Sequence, residues 1–114
     1  MRATGSVWEG RARAVLERAG LRHVASNWHC RYGEIDLVMT DGDALVFVEV
    51  RYRDAAAHGN ALASVGRAKR TKLVHAAESF LAAHPALAPK PCRFDVIAFD
   101  GACCDWQRGA FDAF

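Results

Sequence analysis

The spacing of apolar residues along the chain predicts two helices. In residues 6–19 the apolar positions follow the i, i+4, i+7, i+8, i+11 spacing of one helical face. Ser6 and Glu9 form a capping-box pattern at the start of this helix. A second helix is predicted over residues 64–84 and ends before Pro85. The apolar stripes consist of Trp8, Ala12, Val15, Leu16 and Ala19 in the first helix, and of Leu73, Ala76, Ala77, Phe80 and His84 in the second.

Shorter apolar runs with a period of two predict the strands. They cover residues 21–28, 34–40, 44–53 and 93–99, and a last short strand runs through Trp106. Residues 53–60 are polar or small and are predicted to form a loop. The resulting order is α-β-β-β-α-β-β, which predicts an α/β (α+β) fold with a central mixed β-sheet flanked by helices. The chain has 114 residues without repeats, so we expect a single domain over 1–114.

Composition narrows the class of protein. Hydrophobic residues make up 52% and charged residues 25%, which is typical of a globular protein. The net charge of +2 is too small to demand a polyanionic partner. No apolar run reaches the ~18 residues of a membrane span, so we expect no membrane contact and a cytoplasmic location. The four cysteines lack CxxC spacing and are interpreted as reduced thiols.

Three acids interrupt the two strands that flank an Asp-Gly pair. Side chains alternate across a strand, so each of these strands has one apolar face and one mixed face. In the later strand Val46, Val48, Val50 and Tyr52 lie opposite Leu45, Phe47, Glu49, Arg51 and Arg53. In the earlier strand Ile35, Leu37 and Met39 lie opposite Glu34, Asp36 and Val38. The acids therefore belong to the mixed faces.

The hairpin turn decides how these acids face one another. A two-residue loop at Asp41-Gly42 makes paired residue numbers sum to 83 and places Glu34 opposite Glu49. A four-residue loop over residues 41–44 makes the sum 85 and places Asp36 opposite Glu49. In either register the acids share a face, at roughly 5 to 8 Å between Cβ atoms. A three-residue loop would separate them.

Clustered carboxylates need a cation, a proton or open water. Hard oxygen ligands suit Mg²⁺ or Mn²⁺, which bind one or two carboxylates and keep several waters. A second interpretation is a solvated sheet face on which Arg51 and Arg53 form local salt bridges. The residue pattern alone leaves both interpretations open.

The arrangement D-x12-E-x-R, formed by Asp36, Glu49 and Arg51, resembles the core of the PD-(D/E)xK nucleases. This superfamily includes restriction enzymes and Holliday-junction resolvases, and its fold matches the predicted element order. Within it the chain resembles the YraN family of small bacterial proteins. The matching pieces span nearly the whole chain: Gly5 to Glu9, Asn27, GEIDLV (33–38), FVEVRYR (47–53), Lys69 and RFDV (93–96).

The resemblance implies a restriction-endonuclease-like fold and a metal-dependent endonuclease that hydrolyses DNA phosphodiesters, with branched DNA as a candidate substrate. It implies that Asp36 and Glu49 bind Mg²⁺ or Mn²⁺, helped by the backbone carbonyl of Val50 and joined by Glu9. As an alternative, Glu9 is only the N3 residue of the capping box. Arg51 would bind the scissile phosphate. No small-molecule cofactor is implied.

Two positions depart from the nuclease motif. Ile35 replaces the proline, and Arg51 replaces the usual lysine. Arginine stays protonated and cannot act as a general base, although it can stabilise charge on a phosphate. Lys69, on the stripe of the second helix, either takes the place of the missing lysine or extends past the core to solvent.

Basic residues suggest a second role. The segment GRAKRTK contains Arg67, Lys69, Arg70 and Lys72, and Arg53 adds a further cation. These residues either contact DNA phosphates or form an ordinary exposed basic face. The alternatives to a nuclease are a nucleic-acid-binding module that has lost efficient cleavage and an assembly protein with an inactive site. A homodimer would suit a two-stranded substrate.

Overall fold

The computed structural model describes residues 3–53, 65–101 and 103–111. These ranges contain two helices and five strands in the predicted order. The elements are α1 (Ala3–Arg18), β1 (Arg22–Cys30), β2 (Gly33–Asp41), β3 (Ala44–Arg53), α2 (Arg67–Ala83), β4 (Cys92–Asp100) and β5 (Cys103–Phe111). The predicted α+β class and element order are confirmed.

All five strands join one mixed sheet in the order β1-β2-β3-β4-β5. β1, β2 and β3 pair antiparallel, and β5 pairs antiparallel with β4. Only β3 and β4 are parallel. The segment between them contains α2, because parallel neighbours need a long crossover connection.

The two helices cover opposite faces of this sheet, so the molecule has three layers. On one face Ala12 and Leu16 of α1 pack on residues from three strands: Leu37, Met39, Val46, Val48, Ile97 and Phe99. On the other face α2 contributes Leu73, Ala76, Ala77 and Phe80, which pack on Val38, Leu45, Phe47, Phe94 and Val96. The predicted stripe of α2 and the predicted alternation of β3 are both confirmed, because burial follows the local side-chain periodicity.

Both helix starts differ from prediction. α1 begins at Ala3, so Ser6 lies inside the helix and the predicted capping box is wrong. α2 begins at Arg67 with the extended Gly66 as its N-cap, and the predicted start at Ser64 lies outside the described residues. Most of the predicted loop 53–60 lies outside them as well. At the other end His84 is the C-cap of α2, and its Nδ1 lies 2.8 Å from the carbonyl oxygen of Phe80.

The hairpin between β2 and β3 turns one residue later than the Asp41-Gly42 loop requires. Asp41 pairs with Ala44, so the two loop residues are Gly42 and Asp43. Gly42 has a φ of +60°, which suits the first loop position of a type II′ turn. Paired residue numbers therefore sum to 85, the register that was predicted from the longer loop.

The predicted alternation of β2 fails at one point. Leu37 and Met39 pack on the α1 side as predicted, but Ile35 packs on the α2 side with Val38. The register of β1 places Asn27 opposite Asp36, and Asn27 has a φ of +53°. A left-handed residue disturbs the regular pleat, and asparagine tolerates this conformation better than most residues. Ile35 and Leu37 lie on opposite sides of the sheet, and their partners on β1, Trp28 and Ser26, flank the left-handed Asn27.

A buried carboxylate joins the far end of the sheet. Asp95 on β4 accepts hydrogen bonds from Arg93 Nε at 2.9 Å, Trp106 Nε1 at 3.0 Å and the Gly109 backbone N–H at 3.0 Å. Arg93 also donates to Asp41 at 2.9 Å. The network ties β2, β4 and β5 together, and β5 extends to Phe111, well beyond the short strand that was predicted.

Two further predictions concern membrane spans and the cysteines. Neither helix in the described ranges combines the length and apolarity needed to cross a membrane. The four cysteines are free thiols, of which Cys103 and Cys104 are exposed.

Candidate metal centre

Asp36 lies where the β2–β3 ladder stops. The regular pairing runs from Asp41 and Ala44 as far as Leu37 and Val48. Beyond this pair, the backbone N–H of Val50 on β3 donates a hydrogen bond to the side-chain Oδ2 atom of Asp36 at 2.9 Å. This contact orients the Asp36 carboxylate and holds it beside β3. This contact uses the N–H group of Val50, whereas the sequence prediction concerned the Val50 carbonyl as a metal ligand.

Three carboxylates converge at this point. One oxygen atom each from Glu9, Glu34 and Asp36 lies within 4.8 Å of the others. Glu34 and Asp36 are two residues apart on β2, and Glu9 comes from α1, three residues before the buried Ala12. Glu9 is only 8% exposed, so α1 directs its carboxylate at the sheet. The capping interpretation of Glu9 does not describe this position, because α1 begins six residues earlier at Ala3.

Glu49 adjoins this cluster without being part of it. It is 5% exposed, and its Oε2 atom accepts from Arg51 Nη1 at 3.2 Å and lies 3.7 Å from Lys69 Nζ. Its other oxygen, Oε1, is buried and has no hydrogen-bond partner among the described residues. A buried, unpartnered carboxylate oxygen is costly, which marks Glu49 as a group under electrostatic strain.

The same environment changes the pKa of Glu49. Burial, together with the nearby negative charge of Asp36, raises the pKa of Glu49 to about 7. The positive charges of Lys69 and Arg51 act in the opposite direction but do not cancel this effect. Desolvation and a like charge both disfavour the ionised form. In the protein alone, Glu49 is therefore largely protonated below neutral pH.

The predicted basic residues do not form one surface. Successive helical residues are rotated by about 100°, which places Lys69 and Lys72 on nearly the opposite side of α2 from Arg67 and Arg70. Lys69 reaches Glu49 as described, and Lys72 is exposed. Arg70 donates to the carbonyl oxygen of Val65 at 3.0 Å and lies over the Phe111 ring.

Other predicted groups take different positions. Arg67 is exposed beside Arg70. The Arg53 side chain lies outside the described residues. The structure thus brings Glu9, Asp36, Glu49, Arg51 and Lys69 to one region and leaves Arg67 and Arg70 on the other side of α2.

Glu34 was missing from the set of metal ligands that the sequence suggested. Its signal was present in the sequence, since Glu34 and Asp36 have the i, i+2 spacing that places side chains on one face of a strand. The nuclease motif starts at Asp36 and does not include Glu34. The convergence of Glu34 with Glu9 required the packing of α1 on the sheet.

Fold and site together define a class of protein: a three-layer α+β fold with a mixed five-stranded sheet. In this fold, acids from a helix and from one strand meet where the central hairpin opens, next to a buried glutamate of the neighbouring strand. Residues 8–99 match the model of a family described as uncharacterised protein family UPF0102. The chain belongs to the UPF0102 family.

Relatives from several bacteria are similar to this chain over almost their whole length. A UPF0102 protein of Xanthomonas campestris is 59% identical over 109 residues, which cover 94% of this chain and 89% of the relative. One from Ectopseudomonas mendocina is 55% identical, with 96% and 94% covered. One from Pseudomonas fluorescens is 49% identical, with 92% and 89% covered. None of these names states an activity.

Proposed function

We propose that this UPF0102 protein is a nuclease-like enzyme that hydrolyses DNA phosphodiesters with Mg²⁺ or Mn²⁺. The observation that carries the proposal is the grouping of buried and half-buried carboxylates near two cations. Glu9, Glu34 and Asp36 converge within 4.8 Å, and Glu49 places Arg51 and Lys69 beside them. The resemblance of Asp36, Glu49 and Arg51 to the PD-(D/E)xK motif supports the same activity.

The donor atoms suit a hard divalent cation. Carboxylate oxygens are the protein ligands that Mg²⁺ and Mn²⁺ take. Octahedral Mg²⁺ with bonds of roughly 2.1 Å spaces neighbouring ligand oxygens by about 3.0 Å. The three oxygen atoms lie within 4.8 Å of one another, so they would have to move closer together to bind one ion. The buried Oε1 atom of Glu49 is a further donor at the edge of this set.

Each group has a role in the proposed reaction. The bound ion would acidify a water molecule and neutralise charge on the phosphate. The oxygen of a water molecule forms the new bond to phosphorus, and the bond from phosphorus to one sugar oxygen breaks. The departing sugar oxygen takes up a proton from solvent, and the attacking water releases a proton to solvent. Arg51 and Lys69 supply positive charge to the phosphate. Asp36, whose carboxylate is oriented by the Val50 N–H, would help to hold the ion.

A metal-dependent cleavage panel tests this proposal. Linear, flapped and four-way DNA are incubated with the protein and Mg²⁺ or Mn²⁺, and manganese binding is measured separately by electron paramagnetic resonance. We expect cleavage and Mn²⁺ binding that are both lost in Asp36→Asn and kept in Glu78→Gln, a control at an exposed position on α2. An Asp36→Asn protein that binds Mn²⁺ like the unsubstituted protein would refute the assigned metal site.

One observation favours a second candidate, a DNA-binding module without efficient cleavage. Arg51 occupies the place of the usual lysine and is engaged with Glu49 at 3.2 Å, and arginine cannot take a proton from water. Salt-sensitive DNA binding in the presence of Mn²⁺ without any cleavage would support this candidate against the enzyme.

A further inference from the structure

Two stacked aromatic rings lie beside the acidic cluster. Trp8 directly precedes Glu9 on α1, and Tyr52 follows Arg51 on β3. Their ring centroids are 4.5 Å apart with an interplanar angle of 21°. Tyr52 remains 50% exposed, although large aromatic side chains normally bury most of their surface. The pair therefore presents an aromatic ring to solvent close to the candidate metal centre.

A basic groove continues from this aromatic pair along α1. The guanidinium carbon of Arg11 lies 4.6 Å from the Trp8 ring centre. Arg11 and Arg18 both line a groove of about 420 Å³ between α1 and the β4–β5 turn, together with Val15 and Phe99. None of the described residues that line this groove is acidic. The two arginines are seven residues apart, about 10 Å along the helix.

We propose that the Trp8–Tyr52 pair and the Arg11–Arg18 groove form a binding site for single-stranded DNA. An unpaired base stacks on the exposed ring of Tyr52, and the following phosphates contact Arg11 and Arg18. In a duplex the base faces are already covered by neighbouring bases, so a ring of this kind selects an unpaired strand. This inference rests on the proposed function and gives its substrate class: DNA with a single-stranded segment at the cleavage site.

The surface differs from the one that the sequence suggested. Basic residues of α2 were expected to contact DNA, but Arg70 is held by the Val65 carbonyl and the Phe111 ring. Arg67 is on the same side of α2 as Arg70, away from Lys69 and the carboxylates. The α1 groove, in contrast, is lined by Arg11, whose guanidinium lies over the Trp8 ring. Around α1, Trp8 lies between Arg11 and the candidate metal ligand Glu9, so the aromatic pair stands between the groove and the acidic cluster.

Fluorescence anisotropy tests this inference without catalysis. A labelled 15-nucleotide single strand and the matching blunt duplex are titrated with protein in EDTA at low salt, so that the result does not depend on cleavage or on metal binding. We expect tighter binding of the single strand. Tyr52→Ala should weaken it by about 5- to 150-fold, the range for loss of one stacking ring. Tyr52→Phe should stay within about two-fold because the ring is retained.

Arg18→Ala and Arg13→Ala form a matched pair for the groove. Both arginines lie on α1, but Arg13 is bonded to Glu17 at 3.1 Å and does not line the groove. Arg18→Ala should weaken binding and lower the salt slope by about 0.7, the value for one phosphate contact to a single strand. Arg13→Ala should leave the salt slope unchanged.

Three results would overturn the inference. They are equal affinity for the single strand and the duplex, unchanged binding by a Tyr52→Ala protein whose circular dichroism matches the parent, and equal losses in Arg18→Ala and Arg13→Ala. Each can occur whether or not the protein cleaves DNA, so this test and the cleavage panel fail separately.

Discussion

Ionisation of Glu49 opposes folding, and Glu49→Gln isolates this effect. The pKa of Glu49 in the folded protein is about 7, above its ordinary value of 4.5, chiefly because the side chain is buried. Below pH 4.5 the carboxyl is protonated in both the folded and the unfolded state. As the pH rises toward 7, the unfolded state loses the proton first, so the folded state binds more protons and the free energy of unfolding falls.

The size of this loss follows from the change in pKa. The interval from 4.5 to about 7, at about 1.4 kcal/mol per pKa unit, corresponds to about 3 kcal/mol. The loss is complete above pH 7 and absent below pH 4.5. Glutamine has nearly the same shape and cannot ionise, so Glu49→Gln should be more stable than the unsubstituted protein at pH 8 by up to about 3 kcal/mol. The two proteins should converge toward pH 4.5.

Urea denaturation at pH 5 and pH 8 in EDTA measures this difference, and Glu17→Gln is the control because Glu17 is exposed on α1. Added Mg²⁺ at pH 8 should then stabilise the unsubstituted protein more than Glu49→Gln, since a ligand that binds only the folded state stabilises it. If Glu49→Gln were less stable than its parent at pH 8 in EDTA, the reasoning from burial would be refuted.

Three other substitutions probe separate parts of the structure. Asp95→Ala leaves the Trp106 and Gly109 donors without their acceptor and Arg93 with Asp41 alone, and should cost about 3–5 kcal/mol in urea denaturation. Asp43→Ala at the exposed turn should cost little, and equal stabilities of the two variants would contradict the role of the Asp95 network. Asn27→Gly should be nearly neutral and Asn27→Ala should cost about 1 kcal/mol, because φ is +53°; the reverse order in thermal denaturation would count against a strained backbone there. Arg51→Lys should increase metal-dependent DNA cleavage with little change in Mn²⁺ affinity; an unchanged cleavage rate would show that the identity of this cation does not limit the reaction.

Sequence patterns were sufficient for the elements and for most of the core. The stripe of α2 and the two faces of β3 follow from periodicities of 3.6 and 2 residues, and Leu73, Phe80, Phe47 and Val48 are buried as these periodicities require. Local spacing also explains why the basic residues of α2 divide between two sides of the helix. These properties depend on neighbours within a few residues, so they can be predicted from the chain alone.

The candidate site depended on contacts between distant segments. The register of β2 and β3 was set by a turn at Gly42 and Asp43, and Ile35 packs on the face opposite to the one that strand alternation predicts. The meeting of Glu9 with Glu34 required α1 to pack on the sheet.

The sequence by itself determined which residues alternate, which form helices and which acids the strands carry. Only the tertiary structure decided which of those acids meet, that Glu49 is buried beside Lys69, and that Trp8 and Tyr52 stack beside them. The physical reason is that side-chain periodicity is a local property of the backbone, whereas strand register, bulges and helix docking minimise the free energy of the whole packed chain.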